Sequence, residues 1–186
     1  MASVVVPFRA ASAKRRLEPL DEQARTELAH RMLAKVLTAA TAVGPTILVT
    51  ETDAGAARAM AAEYGARVVD DPGEGQGAAV EAGLLAAPEW PVLVVNADLP
   101  QVQPRDLLAL LGAMPEGGIA IAPAPDGTTN ALALAKSGLF EPLYGRGSAA
   151  RFRAHAEGHG IDVMELASPA LAHDVDTVAQ LEHAAQ

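Results

Sequence analysis

The chain has 186 residues, half of them hydrophobic and 20% charged, and its 14 Lys plus Arg against 23 Asp plus Glu leave a formal net charge of -9. That length suits a single domain with a full core over 1–186. The acidic balance and the 3% aromatic content exclude a general nucleic-acid binder, which wants a basic surface and stacking rings.

With no Cys there are neither disulfides nor thiolate chemistry. No apolar run approaches the ~20 residues of a membrane span, and a soluble, cytoplasmic protein is expected. "SVVV" (3–6) reads as a short buried strand. "DEQARTELAHRMLAKVLTAA" follows as a helix, with Asp21 as N-cap and Leu28, Met32, Val36 and Leu37 at helical spacing. "TILVT" (46–50) is a second strand. A helix is expected from Asp53 to a stop at Gly65. "ARVVD" (66–70) is a third strand and "AAVEAGLLAA" (78–87) a third helix.

"PVLVVNAD" (91–98) is an unbroken apolar run closed by polar groups, the pattern of a central strand. "PRDLLALLGAM" (104–114) reads as a helix with Pro104 near its start. "GIAIAP" (118–123) and "NALALA" (130–135) read as strands. "SAARFRAHAEG" (148–158) reads as a helix with Ser148 as candidate cap, "IDVMEL" (161–166) as a late strand and "DTVAQLEHAA" (176–185) as a last helix. Strands alternating with helices predict an α/β fold, a mostly parallel sheet with helices on both faces. Ligands of such sheets sit beyond the C-terminal ends of the strands. That rule selects the loop after Val6, the loop after Asp70, Asn96 to Pro100, and the segments near 126–130 and 173–177.

The first of these places carries four of the 14 cations within eight residues: Arg9, Lys14, Arg15 and Arg16. Small residues between them let a backbone approach a phosphate, and Lys14 offers a point charge. A solvated basic loop is an equal reading. Gly73, Gly75 and Gly77 precede a helix, where backbone amides could meet a base or phosphate, although in isolation a plain flexible connection is the better reading. In "NADLP" (96–100), Asp98 stands where Mg²⁺ would bridge a carboxylate to substrate phosphates, and Pro100 holds Leu99 extended. In an extended "HDVDT" (173–177), Asp174 and Asp176 project from one face and repel unless a cation lies between them; helix capping by Asp176 is compatible with that. "DGTTNALAL" (126–134) is a polar cluster entering an apolar run. "YGRGSAARF" (144–152) sets two glycines and a serine at a helix start, a suitable anion cradle.

Taken together, "VPFRAASAKRRL", "NADLP", "DGTTNALAL", "GSAARFRAHA" and "DVDT" resemble the CofC/FbiD guanylyltransferases of deazaflavin coenzyme F-420 biosynthesis. "TTNALAL" and "GSAARF" separate that family from the broader MobA-like nucleotidyltransferases. The resemblance implies a MobA-like, Rossmann-type nucleotidyltransferase fold. It implies transfer of GMP from GTP to the phosphate of a small three-carbon acid, phosphoenolpyruvate or 2-phospho-L-lactate, with release of pyrophosphate. By position, Asp98, Asp174 and Asp176 would hold Mg²⁺. Thr129, Gly145 and Ser148 would hold the acceptor. Pro7, Arg9, Lys14, Arg16 and Asn96 would line the nucleotide, with Lys14 and Asp98 as the catalytic pair, and Gly75 and Gly77 would approach guanine or ribose. Family members often read "GLNAA" where this chain has "GQGAA". The implied partners are GTP and the phosphorylated acid, without nucleic acid or membrane; a homodimer is left open. A non-catalytic nucleotide-binding domain of the same fold and a transferase acting on another phosphate are the competing readings.

Overall fold

A computed structural model describes residues 1–9 and 21–173 of the chain. Its elements alternate as the apolar runs dictate: β1 (Ser3–Pro7), α1 (Glu22–Val43), β2 (Thr46–Thr50), α2 (Gly55–Glu63), β3 (Arg67–Asp70), α3 (Gln76–Ala86), β4 (Val92–Val95), α4 (Pro104–Ala113), β5 (Ile119–Pro123), β6 (Thr129–Leu134), α5 (Ser148–Gly158), β7 (Val163–Glu165) and α6 (Pro169–Ala172). α1 starts where the capping chemistry requires, with the Asp21 carboxylate accepting from the Ala24 amide at 2.8 Å.

The strands form a seven-stranded sheet in the order β3-β2-β1-β4-β6-β5-β7. β1, β2, β3 and β4 are parallel, as are β5 and β7. β6 runs antiparallel to both of its neighbours, with Val95 opposite Ala131 and Ala122 also opposite Ala131. The two strands that meet β1 are buried along their whole length, because helices cover both faces. Val4, Val6, Leu48, Leu93 and Val95 pack with Leu33, Val36, Leu107 and Leu110 of α1 and α4. Val5, Ile47, Val49, Val92 and Val94 pack on the other face with Val80 of α3 and Phe152 of α5. Alternate residues of one strand thus serve opposite cores. Among the described residues no helix is long and apolar enough to cross a membrane.

Several sequence-based boundaries shift. α2 begins at Gly55, not Asp53, because the Asp53 carbonyl accepts from the Gly55 amide at 2.8 Å and turns the chain before the helix. β4 ends at Val95, which leaves Asn96 and Asp98 in the turn beyond it. Ser148 is not the cap of α5; Gly147 fills that place at φ 71°, and Ser148 is the first helical residue with its side chain turned inward. The short α6 is absent from the sequence reading. The expected helix at 176–185 lies outside the described residues.

Gly83 in α3 shows where the core sets the sequence. A Cβ there would lie 2.3 Å from Val5 Cγ1 and 3.0 Å from Val49 Cγ2. Helix propensity alone favours Gly→Ala by about 1 kcal/mol, whereas overpacking a filled core costs ~1–3 kcal/mol. Both valines are fully buried and β-branched, so they cannot swing away. Gly83→Ala is therefore expected to lower the urea midpoint with an unchanged m-value. A raised midpoint would show that α3 lifts off the sheet at little cost.

Candidate active site

The parallel strands β1 to β4 end at one edge of the sheet, and β6 begins there because it runs the other way. That edge gathers the polar residues of four chain segments. The Asn96 amide donates to the Asn130 carbonyl at 2.9 Å, which extends the β4–β6 pairing by one residue beyond the strand. Asn96 Nδ2 reaches the Thr129 carbonyl at 3.2 Å and Asn130 Oδ1 at 3.4 Å. Gln76 Nε2, in the first turn of α3, donates to Asn96 Oδ1 at 2.8 Å. Asn130, 1% exposed, donates through Nδ2 to the carbonyls of Leu171 at 2.9 Å and Ala172 at 3.3 Å. The buried Asn130 amide must be satisfied, and the hydrogen bonds around it and Asn96 tie α3, β4, β6 and α6 together.

Thr129 and Ser148 are buried beside this network, at 2% and 0% exposure. The Ser148 hydroxyl donates to Thr129 Oγ1 at 3.0 Å. The loop that feeds Ser148 turns through Gly145 at φ 106° and Gly147 at φ 71°, backbone that side-chain-bearing residues rarely adopt. It docks on the β5–β6 turn, where the Ala149 amide donates to the Gly127 carbonyl at 3.2 Å. Thr129, Gly145 and Ser148, distant in sequence, therefore share one corner of the edge. The chain has three Phe and two Tyr, and Phe140, Tyr144 and Phe152 gather under this loop, with the Tyr144 and Phe152 rings edge to face at 5.3 Å. Burial pushes the Tyr144 hydroxyl well above its ordinary value, so it stays neutral.

On the other side of Asn96, Pro7 closes β1 opposite Val49. Arg9 extends from it to Asp71, with Nε 2.5 Å from Oδ2 and Nη2 3.0 Å from Oδ1. Asp71 Oδ1 also accepts from the Gly73 amide at 2.8 Å. The Asp71 side chain is 1% exposed. The hydrogen bonds from Arg9 hold its carboxyl below the usual range against the opposing effect of burial, with the Gly73 amide assisting, and the same contact raises the Arg9 guanidinium. Arg9 thus joins the end of β1 to the loop after β3. Gly75, at φ 103°, is the N-cap of α3. Gly77 is explained by packing: a Cβ there would meet Pro142 Cβ at 2.5 Å.

The model of the family described as guanylyl transferase CofC like matches residues 2–184. The chain belongs to this family. In keeping with CofC-like membership, it is 38% identical over 190 residues to a phosphoenolpyruvate guanylyltransferase of Sphaerobacter thermophilus, covering 97% of this chain and 91% of that one. It is 40% identical over 181 residues to a 2-phospho-L-lactate guanylyltransferase of Halomicrobium mukohataei, covering 96% and 82%. Among solved structures, a nucleotidyl transferase from Methanothermobacter shares the fold with a TM-score of 0.70 at 19% identity, covering 98% of this chain and 95% of that one.

In this CofC-like chain, Asp98 lies two residues past Asn96 in the turn after β4, with Oδ1 shut off from solvent. Carboxylate oxygen is the donor that a hard divalent cation prefers, so the residue type fits the group the family resemblance implies. Lys14, Arg15, Arg16, Asp174 and Asp176 lie outside the described residues, and among the described ones no cluster of three or more His, Cys, Asp or Glu could hold a metal. Sequence reasoning overlooked Gln76, Asn130 and Asp71. Asn130 lay inside a quoted motif, but only the tertiary pairing of β4 with β6 reveals what it holds.

The Arg9–Asp71 pair makes a pH prediction. Asp71 titrates lower in the folded chain than in the unfolded one, so its contribution is complete above the ordinary carboxylate range and fades as pH falls through the folded value. Asp71→Asn is expected to lower stability at pH 7 by roughly 1–3 kcal/mol. In urea titrations the gap from the parent chain should shrink below about pH 4. A gap that stays constant across this range would mean that shape, not charge, holds the pair.

Proposed function

We propose that this protein moves GMP from GTP to the phosphate of phosphoenolpyruvate, releasing pyrophosphate and forming enolpyruvyl-diphospho-guanosine for deazaflavin coenzyme assembly. The observation that carries the reading is the corner in which Thr129 and Ser148 sit hydrogen-bonded at 3.0 Å beside the loop of Gly145, across Asn96 from the glycines of α3. The membership in the guanylyl transferase family supports the nucleotide, and relatives such as the Sphaerobacter protein support the acceptor. The Halomicrobium relative, at 40% identity, keeps 2-phospho-L-lactate as the second reading.

The chemistry asks for placement more than for a protein nucleophile. An oxygen of the acceptor phosphate attacks the α-phosphorus of GTP. The bond from that phosphorus to the bridging oxygen of the β-phosphate breaks, and pyrophosphate leaves with the electron pair. The acceptor oxygen is already ionised near neutral pH, since a phosphate's second pKa is about 6, and no general base is required. Thr129, Gly145 and Ser148 hold the acceptor's phosphate and carboxylate. Lys14 and Arg16 neutralise the triphosphate, while Pro7, Asn96, Gly75 and Gly77 frame the nucleoside side. Arg9 serves this side through Asp71, by fixing the turn at Gly73. Asp98 with Asp174 and Asp176 would hold Mg²⁺, which when bound screens the two anions from each other.

Two measurements test the proposal. Pyrophosphate release in the presence of Mg²⁺ and GTP should depend on phosphoenolpyruvate; dependence on 2-phospho-L-lactate alone would move the assignment to the second reading. Asp98→Ala and Asp176→Ala should each reduce turnover at least ~100-fold, the scale of losing a main electrostatic contributor, while the protein stays folded by circular dichroism. Turnover surviving both changes would remove the carboxylates from the site.

A further inference from the structure

Arg151 is the third residue after Ser148 along α5, and no role follows for it from the motif alone. Its guanidinium folds back under the loop that precedes the helix. Nε and Nη2 donate to the Leu143 carbonyl at 3.2 and 2.8 Å, Nη2 also donates to the Tyr144 carbonyl at 3.0 Å, and Nη1 donates to the Arg146 carbonyl at 2.5 Å. Four of its five N–H donors are thus committed to three carbonyls of one short loop. With so few donors left, Arg151 is a positioning residue.

The geometry of the peptide unit says what this positioning achieves. In a trans peptide the N–H points opposite to the C=O of the same unit. Carbonyls of Leu143, Tyr144 and Arg146 drawn onto the guanidinium therefore turn the amides of Tyr144, Gly145 and Gly147 to the other side of the loop. Amides turned to one side of a short turn form a concavity that attracts anions. Glycine at 145 and 147 permits the positive φ values this needs but does not select them, because glycine populates many conformations equally. A side chain on Gly145 would come into ordinary contact with Nη2 at 3.6 Å, so the guanidinium lies next to this residue. The fixed positive charge lies under the loop, where it adds to the field of the amides.

We infer that Arg151 sets the backbone of residues 143–147 in the form that receives the anionic groups of the acceptor, and that it thereby governs acceptor affinity separately from GTP affinity. The inference rests on the acceptor assignment of Thr129, Gly145 and Ser148 above. Lysine cannot replace it, since a single ammonium lacks the planar fork that reaches three carbonyls.

Steady-state pyrophosphate release on Arg151→Ala and Arg151→Lys tests it, with each substrate varied in turn. The KM for phosphoenolpyruvate should rise roughly 10- to 100-fold, the scale of losing hydrogen bonds from a charged donor. The KM for GTP should stay within about twofold, and Arg151→Lys should recover little of the loss. An unchanged acceptor KM in a folded variant overturns the inference. So does a parallel rise in both KM values with a falling melting temperature, which marks a general structural role, and so does full recovery by lysine. If Arg151→Ala fails to fold, Arg151→Lys decides alone by the same split. If the parent chain releases pyrophosphate with neither phosphoenolpyruvate nor 2-phospho-L-lactate, the acceptor assignment itself fails and this inference falls with it, an outcome distinct from an active parent whose variants keep their KM.

Discussion

The reversal of β6 is the constraint on which the site depends. A wholly parallel sheet would place the start of that strand at the edge opposite the end of β4. Running antiparallel, β6 delivers Thr129 and Asn130 to the same edge as Asn96, and the β5–β6 turn then offers Gly127 as a dock for the start of α5. The Asn130 amide and the Thr129 and Ser148 hydroxyls in this corner are buried, and Asn96 is half-buried; buried polar groups are costly if left alone. They are tolerable because they satisfy one another, and that mutual requirement makes their relative placement rigid. Thr129 at a strand end and Ser148 at a helix start are thus fixed by the scaffold.

Charge is arranged at two scales. The chain as a whole is acidic, which discourages adventitious polyanion binding, while its cations concentrate in the segment after β1. The nearest described cation of that segment, Arg9, is paired with a nearly inaccessible Asp71. Such a pair contributes through geometry as much as through attraction, because it joins the end of β1 to the turn that opens α3. The first and third connections of the sheet are thereby held in a fixed relation before any ligand arrives.

Much of this was legible in the sequence. Mostly apolar runs marked the strands, since β1, β2 and β4 are buried almost throughout and take few polar residues. Asp21 announced its helix because capping is a local interaction. What could not be read was long-range. "NALALA" looks the same whichever way its strand runs, and its direction depends on how a short turn at Asp126–Gly127 reverses the chain after β5. Ser148 looks like a cap by residue type, yet Gly147 takes that place and frees the hydroxyl for Thr129. Nothing near Arg9 in sequence announces Asp71, 62 positions along the chain, as its partner. The fold brings several of the motifs to one corner of the molecule; the partners of Asn130, Arg9 and Arg151 required the fold.

The contact between Gly77 and Pro142 has a consequence for how this chain can vary. It joins the first turn of α3 to the segment leading into the loop of Gly145, with no space between them for even a methyl group. Residue 77 can therefore enlarge only where residue 142 becomes smaller or its segment retreats, and a retreat would disturb the aromatic cluster around Phe140 and Tyr144. Drift at one position constrains drift at the other. The two segments inherit their shapes jointly, so a lineage that reshapes the segment around Pro142 must carry a matching change in the first turn of α3.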